Sequence, residues 1–191
     1  MGKLIYGITT SLDGFVADEN GNFDWAVPSE EVHACVNDVV RNVGTSLLGR
    51  EMYEVLKIWE QIPTEGTNEF MDGPSEAMND YARIWRGVHK VVFSSTLSEV
   101  ETANTTIERD FNPEVIRKLV AESDRDTDIG GPTLAAEAIK ANLVDDYHQF
   151  IVPMLIGSGR HWLPKDVKNQ LKLVDLRKFE NGFVHLHYRK A

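Results

Sequence analysis

A chain of 191 residues with 42% hydrophobic and 26% charged side chains has the composition of one soluble globular domain with a sizeable core. Its formal net charge of −10 disfavours nucleic-acid and acidic-membrane partners, whose phosphates need a basic face, so an anionic ligand has to be held locally. The single Cys35 excludes an intramolecular disulfide, and there is neither a basic leader with an apolar run nor an apolar stretch of 18 residues; a cytoplasmic protein that does not span a membrane is expected.

In chain order, Lys3 to Thr10 reads as a strand, followed by a turn-rich loop from Ser11 to Pro28 of the length that lids and binding loops have. Ser29 offers an N-cap to a helix that carries Val32, Cys35, Val36, Val39 and Val40 at helical spacing, with Glu30 and Glu31 in its first turn. A buried structural thiol is the expectation for Cys35. Thr45 to Leu48 is a short strand that Gly49-Arg50 turns into a helix from Glu51 to Ile58. Trp59 to Gly73 is polar and turn-rich, and Pro74 to Trp85 reads as another helix. His89 to Ser94 is a strand ending in the hydroxyls of Ser94, Ser95 and Thr96, which suit either a ligand or plain turn chemistry. Asn104 to Ile107 and Thr127 to Ile129 read as strands, and Pro113 to Glu122 and Thr133 to Ala141 as helices. Val144 to Ile156 reads as a long strand ending in Gly157-Ser158-Gly159-Arg160, and Leu171 to Phe179 and Phe183 to Arg189 pair through an Asn181-Gly182 hairpin turn. The alternation predicts a single α/β domain over residues 1–191, a three-layer sandwich with a central mixed, mostly parallel sheet and a C-terminal antiparallel hairpin.

The junction Ile129-Gly130-Gly131-Pro132-Thr133-Leu134 stands out. Two glycines let the backbone turn sharply and approach a ligand, Pro132 suits the first helical position, and the free helix N-terminus favours an anion; a tight turn alone is the competing account. Arg50 at a second strand-glycine-helix junction has the forked donors a phosphate needs, against the alternative of a solvated arginine. His185 and His187 share one strand face but lack a third ligand at diagnostic spacing, so no metal is expected and exposed strand histidines are the better account. There is no Walker A sequence and no nucleophile elbow.

Ser11 to Ala17 (SLDGFVA), Leu48-Gly49-Arg50, Phe93-Ser94-Ser95, Ile129-Gly130-Gly131 and Pro153 to Gly159 (PMLIGSG) stand in an order that resembles the dihydrofolate reductase-like superfamily. The nearest branch is that of the reductase domain of the bifunctional riboflavin-biosynthesis deaminase/reductase. The resemblance implies an NADPH-dependent reductase, often a homodimer, that transfers hydride to a C=N or C=O bond of a pteridine- or aminopyrimidine ribose-type substrate. It implies a cis Gly130–Gly131 peptide, a pyrophosphate seat on the backbone of Thr133 and Leu134 weakened by Pro132, and a nicotinamide flanked by Thr9 and Val16. Gly49 and Arg50 with Ser94 and Ser95 match the pocket for the adenosine ribose and its 2′-phosphate; Glu51 departs from the pattern and leaves NADH open. Trp25-Ala26-Val27-Pro28-Ser29-Glu30 matches the loop that places the substrate carboxylate, which makes Glu30 a candidate catalytic acid, with Asp13 as a second and helix-dipole or turn chemistry as the alternative for each. Trp25, Gly157 and Arg160 are the candidate substrate contacts. The second functional reading is a nucleotide-binding module without turnover, favoured if Glu30 and Asp13 both point away from the pocket.

Overall fold

The computed structural model describes residues 2–66 and 75–191. Along them run β1 (Leu4–Ser11), β2 (Phe15–Ala17), α1 (Glu30–Val40), β3 (Val43–Gly49), α2 (Arg50–Leu56), α3 (Glu76–Gly87), β4 (His89–Phe93), β5 (Thr105–Glu108), α4 (Pro113–Glu122), β6 (Asp126–Gly130), α5 (Pro132–Lys140), β7 (Asp146–Val152), β8 (Arg160–His161), β9 (Leu171–Lys178) and β10 (Val184–Lys190). Eight strands form one sheet in the order β5-β4-β3-β6-β1-β7-β10-β9. The pairings from β5 through β7 are parallel, and β10 runs antiparallel to both β7 and β9. This is the mixed, mostly parallel sheet that the alternation of elements predicts. β1, β3, β4 and β7 bury residues on both faces, whereas β6 (DTDIG) buries only alternate positions.

Two helical layers close the sandwich. On the back face, Ile116 of α4 and Leu134, Ala135, Ala138 and Ile139 of α5 pack on Leu4, Tyr6, Leu47 and Ile129. On the front face, Val32 and Cys35 of α1 pack on Phe150, Val152, Phe179 and Phe183, and Trp85 of α3 packs with Leu48, Tyr53 and Val92. The helix starts follow sequence signals: the Ser29 hydroxyl accepts from the Val32 amide, Ser75 from Met78, and Asn112 from Glu114 and Val115 ahead of Pro113. The Asn181-Gly182 turn forms as expected, with Gly182 at φ 87° and its amide donating to the Phe179 carbonyl.

Three boundaries differ from expectation. The segment from Ser11 to Pro28 is not irregular throughout: Phe15–Ala17 pairs with Arg160–His161 as a small antiparallel sheet, and Asp24–Ala26 forms a 3-10 turn. Three residues are too few for a period to show in sequence, and their partner lies far along the chain. The strand after α5 ends at Val152, not Ile156, because Pro153 follows and cannot donate to a ladder. Helix α2 ends at Leu56 and tightens into a 3-10 turn over Lys57–Glu60. Helix α3 begins at Glu76; the expected start at Pro74 and the turn-rich residues 67–73 lie outside the described residues.

Candidate functional site

Strands β1, β3, β4 and β6 bring their carboxyl ends to one edge of the sheet, where open α/β sheets bind ligands. Register sets Leu48 beside Gly130 and Gly49 beside Phe93, so that Gly49-Arg50, Phe93-Ser94 and Gly130-Gly131 become neighbours. Distance along the chain hides this; the parallel ladder creates it.

Gly131 is the N-cap of α5 at φ 93° and ψ 132°, and no side chain caps that helix. The first-turn amides of α5 therefore lack intrahelical and side-chain partners, and Pro132 contributes none. Gly130 is needed for a different reason: a Cβ there would lie 2.7 Å from Leu48 Cδ2 and 3.1 Å from Met52 Cγ, in the contact between β6 and α2. The Gly130–Gly131 peptide is trans, since no described bond is cis, which corrects the expectation. The chain reverses through the positive φ of Gly131 instead.

Arg50 extends from the start of α2, exposed and without a side-chain hydrogen bond to a described residue. Its neighbour Glu51 is held by Arg160 at 2.5 Å, and that bond, with the charges of Arg160 and Arg50, keeps the Glu51 carboxyl below its ordinary range. A carboxylate that would repel a 2′-phosphate is thus neutralised, and the guanidinium expected at the substrate is engaged across the sheet edge. Ser94 is buried, and its hydroxyl accepts from the Thr96 and Leu97 amides at 3.3 and 2.9 Å. It shapes the loop, while Ser95 is exposed on it. Arg109 fastens the same loop by donating to the Ser94 and Leu97 carbonyls, both at 2.8 Å. No sequence signal separates that arginine from a surface one.

Thr9 and Val16 are half-buried at the other end of the edge, on β1 and β2. The β1–β2 turn is clamped to the loop after β7. Asp13 accepts from the Ser11 hydroxyl at 2.6 Å and from the amides of Ile156 and Gly157, and Phe15 packs on the His161 ring at 4.4 Å. The Ser11 bond first, aided by the Gly157 and Ile156 amides, holds the Asp13 carboxyl below its usual range. Glu30 turns towards α3. Its two oxygens accept from the Ser75 hydroxyl at 2.6 Å and the Ala77 amide at 2.7 Å, so it joins the start of α1 to the start of α3. Desolvation works against its charge, but the Ser75 and Ala77 bonds prevail and its pKa is lowered. Both candidate acids are therefore occupied as anchors. Trp25 packs on the α1 cluster with its indole Nε1 buried and lacking a hydrogen-bond partner.

The histidines depart most from expectation. His185 is buried at 5% exposure and His187 is half-buried, because α1 covers this part of the front face; alternation identifies a face and not whether a helix covers it. With His148 of β7, overlooked in the sequence, they form stacked rings: His148–His187 centroids lie 4.1 Å apart, and His148 Nδ1 lies 2.9 Å from His185 Nε2. No group of three or more His, Cys, Asp or Glu side chains among the described residues could hold a metal ion. No helix among them is long and apolar enough to cross a membrane.

The edge offers what a dinucleotide's phosphates would use. The Gly131 backbone adopts a conformation that L side chains rarely take, the α5 amides lack side-chain caps, and Arg50 makes no hydrogen bond to a described residue.

Comparison with known proteins agrees with this geometry. The family model of the RibD C-terminal domain matches residues 2–185. The uncharacterized protein YyaP of Bacillus subtilis (strain 168) is 31% identical over 97% of this chain and 94% of its own. Among solved structures, a putative riboflavin biosynthesis protein from Shewanella sp. PV-4 superposes with a TM-score of 0.70 at 18% identity, over 100% of this chain and 99% of that one. The diaminohydroxyphosphoribosylaminopyrimidine deaminase/5-amino-6-(5-phosphoribosylamino)uracil reductase of Thermotoga maritima does so with a TM-score of 0.66 at 16% identity, over 100% of this chain and 57% of that one.

Proposed function

For a chain that belongs to the RibD C-terminal domain family, itself within the dihydrofolate reductase-like superfamily, we propose an NADPH-dependent cytoplasmic reductase of a C=N or C=O bond in a small heterocyclic, pyrimidine-type substrate. The observation that carries the reading is the uncapped α5 N-terminus behind Gly131, with Arg50, which makes no hydrogen bond to a described residue, at the neighbouring junction. When bound, the reduced nucleotide supplies a hydride. The backbone of Thr133 and Leu134 holds its pyrophosphate, Arg50 its 2′-phosphate, and the Ser94-Ser95 loop fastened by Arg109 its adenosine ribose. Thr9 and Val16 orient the nicotinamide, and the clamp of Asp13 on Ile156 and Gly157 keeps β2 over it to exclude water. In this reading Glu30 and Asp13 serve as anchors, and the proton comes from solvent.

The test is a titration with NADPH and NADH, followed by quenching of the four tryptophans. NADPH is expected to bind more tightly than NADH, and Arg50→Ala is expected to weaken NADPH by about 10- to 100-fold, the range of a lost charged hydrogen bond, while leaving NADH unchanged. Binding of neither nucleotide refutes the proposal. A nucleotide-binding module without turnover is the second reading, favoured by the occupation of both acids. Tight NADPH binding without NADPH oxidation across a panel of dihydrofolate and aminopyrimidine probes selects it.

The back face bears on assembly. Register sets Leu176 beside Leu186 and Val184 beside Ile151, on the face with Ile8, and Leu173 and Leu176 are 44% and 57% exposed. An apolar face reaching an edge strand is the kind of surface a second copy covers, so the proposed active form is a homodimer.

A further inference from the structure

Gly7 of β1 and His148 of β7 are register partners, and their side-chain positions lie on the front face. Gly7 is exposed, and a Cβ built on it would approach only His148, at 3.8 Å from its Cβ and 4.0 Å from its carbonyl. The floor of the front face is therefore open at this point, two residues before Thr9 on β1 and two residues beyond the Ile5–Asp128 pair that joins β1 to β6, with His148 as its wall. Behind that wall the ring is fixed by a chain of contacts: His148 Nδ1 to His185 Nε2 at 2.9 Å, and His185 Nδ1 to Cys35 Sγ at 3.8 Å.

We propose that His148 contacts the hydride acceptor as a neutral donor, its Nε2–H hydrogen-bonded to the heteroatom of the reducible C=O or C=N, and that His185 and Cys35 are positioning residues that select this tautomer. This rests on the reductase reading and adds the acceptor's chemistry. A buried thiol stays protonated, and burial raises the Cys35 pKa. In the proposed arrangement its S–H donates to His185 Nδ1 and the His185 hydrogen sits on Nε2, where it donates to His148 Nδ1; the His148 hydrogen is then on Nε2. Nε2 makes no hydrogen bond to a described residue. Burial first, then the charges of His187 and His185, push His148 down to about 3, so the imidazole stays neutral around pH 7. A neutral donor selects an uncharged, carbonyl- or imine-bearing ring. A carboxylate would instead select a ring that presents an N–H pair, and Glu30 and Asp13, the carboxylates nearest the edge in sequence logic, are engaged elsewhere.

The test uses 15N-labelled protein saturated with NADP+, with 5,6-diaminouracil as the carbonyl-bearing probe and 2,4-diaminopyrimidine as the donor-bearing one. Side-chain 1H–15N correlations are expected to show His148 protonated at Nε2, with that resonance shifting on addition of the uracil. His185→Phe is expected to release the tautomer, moving His148 towards the Nδ1–H form. Gly7→Val, which fills open space in a strand and leaves the chain folded, is expected to abolish uracil binding; His148→Gln is expected to weaken it about three- to tenfold without changing NADP+ affinity. An Nε2 resonance that is unprotonated, or that does not respond to the uracil, overturns the proposal, as does tighter binding of the diaminopyrimidine. If NADP+ itself does not bind, the reductase reading fails first, and the two failures are told apart.

Discussion

Replacing Glu30 by Gln separates an anchor from a catalytic acid. The carboxylate accepts from the Ser75 hydroxyl and the Ala77 amide, and Ser75 in turn caps α3 through the Met78 amide at 3.1 Å. A glutamine retains one acceptor oxygen and presents an NH2 to the other donor, so one charge-assisted bond disappears and one becomes neutral. In dry surroundings this would cost about 2–3 kcal/mol, but Glu30 is an exposed residue and water replaces much of the loss, which leaves about 1 kcal/mol, the usual worth of a helix cap. For a chain of this length that lowers Tm by about 2–4 °C. Thermal unfolding followed by circular dichroism measures it, alongside nucleotide titration and NADPH oxidation. The expected result is a lowered Tm with NADPH affinity and turnover within about twofold of wild type. An unchanged Tm together with lost turnover would refute the reasoning and return Glu30 to the acid's role.

Two further expectations concern pH. Burial first, then the His187 charge, pushes His185 down to about 4, and His148 lies at about 3, both below the 6.5 of an unfolded histidine. The unfolded chain therefore takes up protons that the folded chain refuses, and stability present above pH 6.5 drains away on acidification, by up to about 2 kcal/mol per histidine by pH 4.5. Urea unfolding of His148→Gln should show a shallower loss between pH 6.5 and 4.5 than wild type, and an equal slope would contradict the assignment. Asp128 acts with the opposite sign: burial lifts it to about 6 against the hydrogen bond from Ser46, so the folded state holds its proton more firmly and stability falls as pH rises from about 4 to 6. Asp128→Asn should gain about 1–3 kcal/mol at pH 8 and nothing at pH 4; no difference in gain between the two pH values would count against it. For assembly, Leu176→Glu is expected to convert a dimer to monomer in sedimentation velocity with little change in Tm, because the side chain is 57% exposed in the single chain; a wild-type monomer defeats the dimer proposal.

Local signals settled much of this protein in advance. Helix starts at Ser29 and at Pro113 after Asn112, the Asn181-Gly182 reversal, and the strand-glycine-helix junctions at Gly49 and Gly131 depend on the backbone preferences of a few adjacent residues, and they stand where those residues place them. The alternation of strands and helices was enough for the mixed sheet, since each element has one hydrophobic period to satisfy. Tertiary structure alone decided where side chains of ambiguous character went. Glu30 reaches α3, Asp13 reaches the loop after β7, and Arg160 reaches Glu51, because each partner lies far away in sequence and is brought near only by the packing of whole elements. The same holds for the histidines: periodicity put His185 and His187 on one face, but only the docking of α1 buried His185 and set the ring of His148 between it and the open floor at Gly7. A charge or an imidazole has no period of its own, and its role is determined by its long-range neighbours.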